Sequence, residues 1–144
     1  MSPELRAQTI AEWNDLGFWY DHTPESGWVI RGARTGLEKL ATLLDQYAID
    51  PRNTKLSEHD HFGPYSYLKV VTWSSSEINQ DGIYGTLQDI VRLAALIRER
   101  VGSCNPGDSF ALAQAFSTTS STEFTLVCEP ESFSPGAYDF QLYN

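Results

Sequence analysis

Basic residues are scarce in this 144-residue chain, and long apolar runs are missing from it. Lys and Arg together number 10 and Asp and Glu 19, so the formal net charge is −9. A field of that sign repels nucleic acid and anionic lipid surfaces. A membrane-spanning helix needs about 18 consecutive apolar residues, and no such run occurs. Nucleic-acid binding and membrane spanning are therefore not predicted.

Cysteine is also rare, with only Cys104 and Cys128 in the whole chain. Their spacing is not that of a Cys-x-x-Cys zinc site, although a single disulfide remains an alternative. The first fifteen residues lack the basic and apolar regions of a signal peptide, so we expect a cytoplasmic protein. Thiols stay reduced in that compartment. We expect Cys128, in the apolar run FTLVC, to be buried.

The short motifs of common enzyme classes are missing as well. There is no P-loop, no G-x-G-x-x-G and no G-x-S-x-G. The cluster Glu58-His59-Asp60-His61 is the one candidate metal site, because an extended backbone would point both histidines to one side. A third ligand, His22 or Asp81, would have to come from elsewhere. We predict no catalytic residue, no metal and no cofactor.

Periodicity and capping signals predict three helices. Ser2 and Pro3 begin a short helix over residues 3–15. Thr35 and Glu38 have capping-box spacing before an apolar stripe, so Thr35 is the predicted start of the second helix. Thr86 and Asp89 have the same spacing before a helix that we expect to stop at Gly102. Runs rich in aromatic and β-branched residues predict strands over residues 16–22, 28–31, 65–73, 110–116 and 123–129.

These elements predict an α+β fold. In it, two main helices pack on one face of a mixed, largely antiparallel five-stranded sheet, and a short N-terminal helix docks beside them. Residues 51–64 and 74–85 are then connections, and the segment 117–122 is a hairpin loop. We expect residues 1–130 to form a single α+β domain. Residues 131–144, ESFSPGAYDFQLYN, are predicted to form an extended acidic-aromatic C-terminal tail.

The acidic residues are concentrated in particular stretches. Arg100 is the last basic residue, and residues 101–144 hold five carboxylates without any Lys or Arg. Such a surface attracts a basic protein partner. Tyr and Trp near the predicted strand ends can anchor a protein interface, where these residues often dominate the binding energy. Charge and aromatics together favour a protein-binding function.

Two segments resemble a known family. Residues 58–73, EHDHFGPYSYLKVVTW, and residues 81–97, DGIYGTLQDIVRLAALI, resemble small immunity proteins of bacterial polymorphic-toxin and contact-dependent inhibition systems. The resemblance covers residues 16–101. It implies a cytoplasmic, non-enzymatic antitoxin that binds a cognate toxin domain by direct protein contact. It carries no catalytic residue to this chain.

The predicted partner-binding residues come from the two loop-like segments 58–65 and 77–84. They are Glu58, His59, Asp60, His61, Tyr65, Glu77, Asp81 and Tyr84. Two alternatives stay open: a small metal-assisted enzyme at His59 and His61, and a general protein-interaction adaptor without a toxin partner. An enzyme should have a concave pocket where polar groups converge, whereas a binding protein should have an open acidic-aromatic surface.

Overall fold

A computed structural model describes residues 1–65 and 67–143 of the chain. Ser66, in the predicted strand 65–73, and Asn144, at the end of the predicted tail, lie outside the described residues. The helices are α1 (Pro3–Leu16), α2 (Arg34–Ile49), α3 (Leu87–Val101), α4 (Ala113–Phe116) and α5 (Pro135–Tyr138). Two 3-10 turns cover Pro51–Thr54 and Phe140–Tyr143.

The described strands form two separate four-stranded sheets. They are β1 (Trp19–Thr23), β2 (Gly27–Gly32), β3 (His59–Phe62), β4 (Leu68–Thr72), β5 (Glu77–Asn79), β6 (Gly82–Gly85), β7 (Ser109–Ala111) and β8 (Phe124–Cys128). Sheet A has the order β1-β2-β8-β7, and sheet B the order β3-β4-β6-β5. In each sheet the central pair is parallel and the two outer pairs are antiparallel. The two sheets therefore share one pattern of strand directions.

The prediction of a single five-stranded sheet is wrong, although the α+β class is confirmed. The five predicted strands correspond to β1, β2, β4, β7 and β8, but β4 belongs to sheet B, and α4 follows β7 inside the predicted strand 110–116. The other strands of sheet B lie in stretches predicted as connections. They contain only three or four residues, too few for an alternating pattern to be recognised. Pairing with neighbouring strands holds these short segments in an extended conformation that the local sequence does not predict.

The two main helices lie on different sheets and against each other. Helix α2 packs on β2 and β8 of sheet A, α3 packs on β6 of sheet B, and the α2–α3 contact is the most extensive in the fold. A single apolar core includes residues from both sheets and both helices. The predicted arrangement, with both helices on one face of one sheet, is corrected accordingly.

The start of α3 agrees with the sequence prediction, and the start of α2 does not. The Thr86 hydroxyl accepts a hydrogen bond from the Asp89 amide at 3.1 Å, and the Asp89 carboxylate accepts one from the Thr86 amide at 2.9 Å. Helix α2 instead begins after Ala33, which provides no side-chain cap. A Cβ on Gly36 would lie 1.9 Å from the Gly17 carbonyl oxygen, so the first turn of α2 is in close backbone contact with the end of α1. This tertiary contact orients the helix start without a threonine cap.

The predicted tail forms helical turns that pack against the rest of the chain. Helix α5 contacts α1 and β1. The Asn14 side chain in α1 accepts hydrogen bonds from the Ser134 hydroxyl at 2.9 Å and the Gly136 amide at 3.0 Å. Leu142 is fully buried, and Asp139 is 4% exposed. Residues 131–143 thus supply part of the core and, as shown below, part of a cavity wall.

Helix α1 confirms the predicted N-terminal helix, since the Ser2 hydroxyl accepts a hydrogen bond from the Leu5 amide at 3.1 Å. No helix in residues 1–65 and 67–143 is long and apolar enough to cross a membrane.

The two threonines give a matched test of the helix starts. We expect Thr86→Ala to lower the free energy of unfolding by about 0.5–2 kcal/mol, because it removes the cap of α3. Thr35→Ala should change it by less than about 0.5 kcal/mol, because Thr35 is exposed and does not cap α2. Urea unfolding monitored by circular dichroism measures both values. Equal losses in the two variants would contradict this assignment of the caps.

Candidate functional site

One face of sheet B belongs to the core and the other is open. Val70, Ile83 and Ile78 are neighbours across β4, β6 and β5, and all three are fully buried. Side chains alternate along a strand, so the adjacent positions lie on the opposite face. The backbone bond from the Trp73 amide to the Gly85 carbonyl, 2.8 Å, extends this alternation one residue beyond β4.

We call these adjacent positions the outer face of sheet B. It consists of His59, His61, Lys69, Val71, Trp73, Glu77 and Tyr84. His59 and His61 are exposed, with ring centroids 5.1 Å apart in an edge-to-face contact. Trp73 is 41% exposed. An exposed patch that mixes aromatic and polar side chains is typical of a binding surface.

Four of the predicted partner-binding residues meet on this outer face: His59, His61, Glu77 and Tyr84. Tyr84 lies between Val71 and Glu77 across the three strands. Burial and the nearby Asp81 carboxylate raise the pKa of Tyr84. Its hydroxyl is therefore neutral at physiological pH, and it donates to Asp81 at 3.5 Å.

The other predicted residues lie elsewhere. Asp60 is on the opposite side of β3 and forms an ion pair with Arg52 at 3.0 Å. The Glu58 carbonyl accepts hydrogen bonds from Tyr47 and from the backbone of β4. Tyr65 turns into a cavity beside sheet B. The segment 58–65 is thus divided among three environments.

Three ligand side chains do not come together in the described part of the chain. No group of three or more His, Cys, Asp or Glu residues there has the geometry to hold a metal ion. His22 lies in the cavity wall, while His59 and His61 lie on the outer face of sheet B. Neither His22 nor Asp81, the two third ligands considered from the sequence, therefore completes a site with these two histidines.

A cavity of about 480 Å³ lies between the two sheets, and α1 and the C-terminal segment complete its wall. We call it the aromatic cavity, because a continuous series of ring contacts runs along its wall. The series is Tyr67–Tyr65 at 5.7 Å, Tyr65–Trp13 at 6.0 Å, Trp13–Tyr20 at 5.2 Å, Tyr20–Trp28 at 6.0 Å and Trp28–His22 at 4.9 Å. Trp19 and Phe140 also line the cavity. Rings in mutual contact hold one another in place, so this wall is largely preformed.

A buried carboxylate lies in the cavity wall. Oδ2 of Asp139 accepts hydrogen bonds from Trp13 Nε1 and from the Tyr65 hydroxyl, both at 2.8 Å. Oδ1 accepts from the Gln141 amide at 3.1 Å. A carboxylate can be buried in this way only when donors replace its lost hydration. Burial, followed by the bond to Asp139 and its charge, raises the pKa of Tyr65 well above its usual range.

The rim of the cavity is acidic and aromatic. Asp21 and Asp81 are exposed wall residues, while Tyr67 and Phe140 are 64% and 62% exposed. Lys69 belongs both to this wall and to the outer face of sheet B. The cavity and the outer face therefore form one continuous surface.

Sequence reasoning missed most of the cavity wall, including Trp13, Trp28 and Asp139. A weak signal was present for Asp139, which stands between aromatic residues in the segment AYDF. Nothing local connects that segment with α1 or with Tyr65, which are 126 and 74 residues away from Asp139.

The cysteines lie outside this surface. Both are buried and free, which confirms the expected burial of Cys128. Burial and the adjacent Cys104 thiol raise the pKa of Cys128 to about 12. Since the thiolate is the reactive form, Cys128 is a poor nucleophile at neutral pH.

The Tyr65–Asp139 bond has a measurable pH signature. A phenol whose pKa is raised in the fold stabilises it fully below the unfolded pKa of about 10, and that contribution is lost as the pH rises above this value. We expect the free energy of unfolding to fall between about pH 9 and 11, and to fall less steeply in Tyr65→Phe. At pH 7 the same variant should be less stable by about 1–3 kcal/mol, because Asp139 loses a donor. Urea unfolding across this pH range measures both effects. Tyr138→Phe, at an exposed ring outside the ring series, is the control, and an unchanged pH slope in Tyr65→Phe would contradict the assignment.

Comparisons of the chain with protein-family models, with curated proteins and with solved structures found no match.

Proposed function

We propose that this chain is a non-catalytic binding protein of the immunity type, which acts in the cytoplasm and neutralises a toxin domain by direct contact. The observation that carries the proposal is the outer face of sheet B. Its strands place His59, His61, Glu77 and Tyr84 on one open surface, although they are separated by up to 25 positions in the chain. The segments that resemble immunity proteins include His59, His61 and Tyr84, and Glu77 lies between the two segments.

The outer face has the chemistry of an interface centre. Trp73 and Tyr84 supply two large aromatic side chains, and the neutral hydroxyl of Tyr84 can donate a hydrogen bond. Trp and Tyr are the residue types that most often dominate binding energy in protein interfaces. The strands beneath are anchored in the core, so little conformational entropy is lost when a partner binds.

Charge supports a basic partner. The chain carries a net charge of −9, and Glu77 and Asp81 place carboxylates at the edge of the outer face. Long-range attraction raises association rates with basic surfaces and is screened by salt. The domains that bind and process nucleic acid commonly carry such basic surfaces. A toxin domain that acts on nucleic acid is therefore the partner class that this charge favours.

The proposal can be tested with two matched variants. Trp73→Ala with Glu77→Lys changes the outer face, and Ile49→Ala with Glu38→Lys makes a comparable change on exposed parts of α2. We expect the first variant to weaken binding to the toxin encoded beside this chain at least about 10-fold, and the second to change it less than about 3-fold. Co-expression with the toxin and surface plasmon resonance measure protection and affinity.

The salt dependence of the two rate constants distinguishes long-range attraction, which acts on association, from close contacts at the interface, which act on dissociation. Raising the ionic strength from about 0.01 to 0.15 M shortens the Debye length from about 30 to about 8 Å, so the association rate should fall. The dissociation rate should change less, because desolvated contacts at the interface centre are weakly screened. If the outer-face variant protects cells fully, the interface lies elsewhere. If the unchanged chain protects against no neighbouring toxin, the immunity proposal fails.

A further inference from the structure

We infer that the aromatic cavity binds a guanidinium group on an aliphatic stem. The cavity is a second recognition site, separate in its chemistry from the outer face of sheet B. As for the source of the guanidinium group, the inference rests on the proposed function: an arginine side chain of the partner would enter the cavity while the outer face contacts the surface around it.

The cavity has the right size and shape for such a group. Its volume of about 480 Å³ lies within the range of about 300–1,000 Å³ typical of ligand sites. That space exceeds what one planar group needs, so it also accommodates the stem and part of the backbone that carries it. Because the cavity shares Lys69 with the outer face, a partner seated on sheet B would lie next to the cavity.

The rings provide the first element of recognition. Tyr65 is half-buried in the cavity wall, and Tyr67 and Phe140 at its rim are 64% and 62% exposed, so these three rings are accessible to a ligand. Guanidinium is planar, delocalised and weakly hydrated, so it stacks on aromatic faces at little desolvation cost. An ammonium group is held more strongly by water, and a neutral group lacks the attraction between a cation and a ring.

The carboxylates provide the second element. A carboxylate has about four acceptor positions, and Asp139 uses three of them within the fold. Asp139 is 4% exposed, so it adds negative charge from within the wall rather than a direct bond to the ligand. Asp21 and Asp81 add two exposed carboxylates. Guanidinium donates pairs of parallel hydrogen bonds to carboxylates, a geometry that ammonium does not match.

Lys69 is the opposing charge in the described part of the wall. Three carboxylates and one ammonium leave the wall negative when His22 is neutral. The Lys69 side chain is only half-buried, and its flexible stem lets the ammonium move towards solvent. A guanidinium group can therefore enter the cavity, because the Lys69 ammonium can move away from it into solvent.

Two probes distinguish cation recognition from simple filling of an apolar space. Nα-acetyl-arginine amide carries the guanidinium, and Nα-acetyl-citrulline amide replaces it with a neutral urea of nearly the same shape. Binding is measured by titration of the full chain, with tryptophan fluorescence as the readout. Trp13, Trp19 and Trp28 lie in the wall. Trp73 lies on the outer face and is replaced by Phe to remove its background signal.

The variant for this test changes the two carboxylates at the rim of the cavity. Asp21→Asn with Asp81→Asn removes two charges at exposed positions. Glu38→Gln with Glu99→Gln removes the same charge from exposed positions on α2 and α3, and is the matched control. We expect the arginine probe to bind at least about 5-fold more tightly than the citrulline probe. The rim variant should weaken the arginine probe about 5-fold, and the control should leave its affinity within about 2-fold.

Three outcomes would overturn the inference. The two probes would bind with equal affinity, neither probe would give a saturable signal, or the rim variant and the control would lose the same affinity for the arginine probe. These outcomes are independent of the toxin. If the chain protects cells fully but does not prefer the arginine probe, the cavity inference is wrong and the proposed function is still supported. If the chain binds the arginine probe selectively but protects against no toxin, the cavity site is supported. A toxin partner is then excluded as the source of the guanidinium group.

Discussion

The carboxylate of Asp139 is the interaction on which the aromatic cavity depends. It joins three parts of the chain, because its donors come from α1, from the segment before β4 and from the last turn. At 4% exposure it has little access to water, so it must keep these donors or move out to solvent. The C-terminal segment is therefore held in place by a group that also contributes to the negative charge of the cavity wall.

The division into two sheets explains why there is a cavity at all. If all strands formed one continuous sheet, β1 would not be separated from the strands of sheet B by a cavity large enough for a ligand. Hydrogen bonds join the sheets at a few points instead. Trp28 Nε1 donates to the Asn79 carbonyl at 2.8 Å, and the Tyr20 hydroxyl donates to the Phe62 carbonyl at 2.5 Å. The amide of Ser121 donates to the Ile78 carbonyl at 2.9 Å, which covers the edge of β5. Large aromatic rings fill the distance between these bonds and form the wall.

The function and the cavity site that we propose combine two ways of holding a partner, on the outer face of sheet B and in the aromatic cavity. The first is a broad surface with aromatic anchors, and the second is a concave site with a buried charge. Binding surfaces of this kind gain affinity from a few desolvated contacts and specificity from groups that only the correct partner can satisfy. An unpaired carboxylate or an empty aromatic pocket would penalise a partner that lacks the matching cation. In the proposed function, the acidic charge of the chain acts at longer range and raises the rate of encounter with a basic partner.

The sequence by itself determined the elements whose signals are local. The Thr86–Asp89 capping box and the Ser2 cap are each decided by neighbouring residues, and both are present in the fold. Each of the five predicted strand runs contains a strand, although α4 occupies the second half of the run 110–116. Tertiary structure decided the rest, because the deciding contacts join distant residues. Strands β3, β5 and β6 are too short to be recognised until β4 pairs with β3 and β6, and β6 with β5. Helix α2 starts after Ala33 rather than at a Thr35 cap, and its first turn is in close contact with Gly17 through Gly36. The cavity needed Trp13, Tyr65 and Asp139 in contact across as many as 126 positions, and no pattern in a local window encodes that distance.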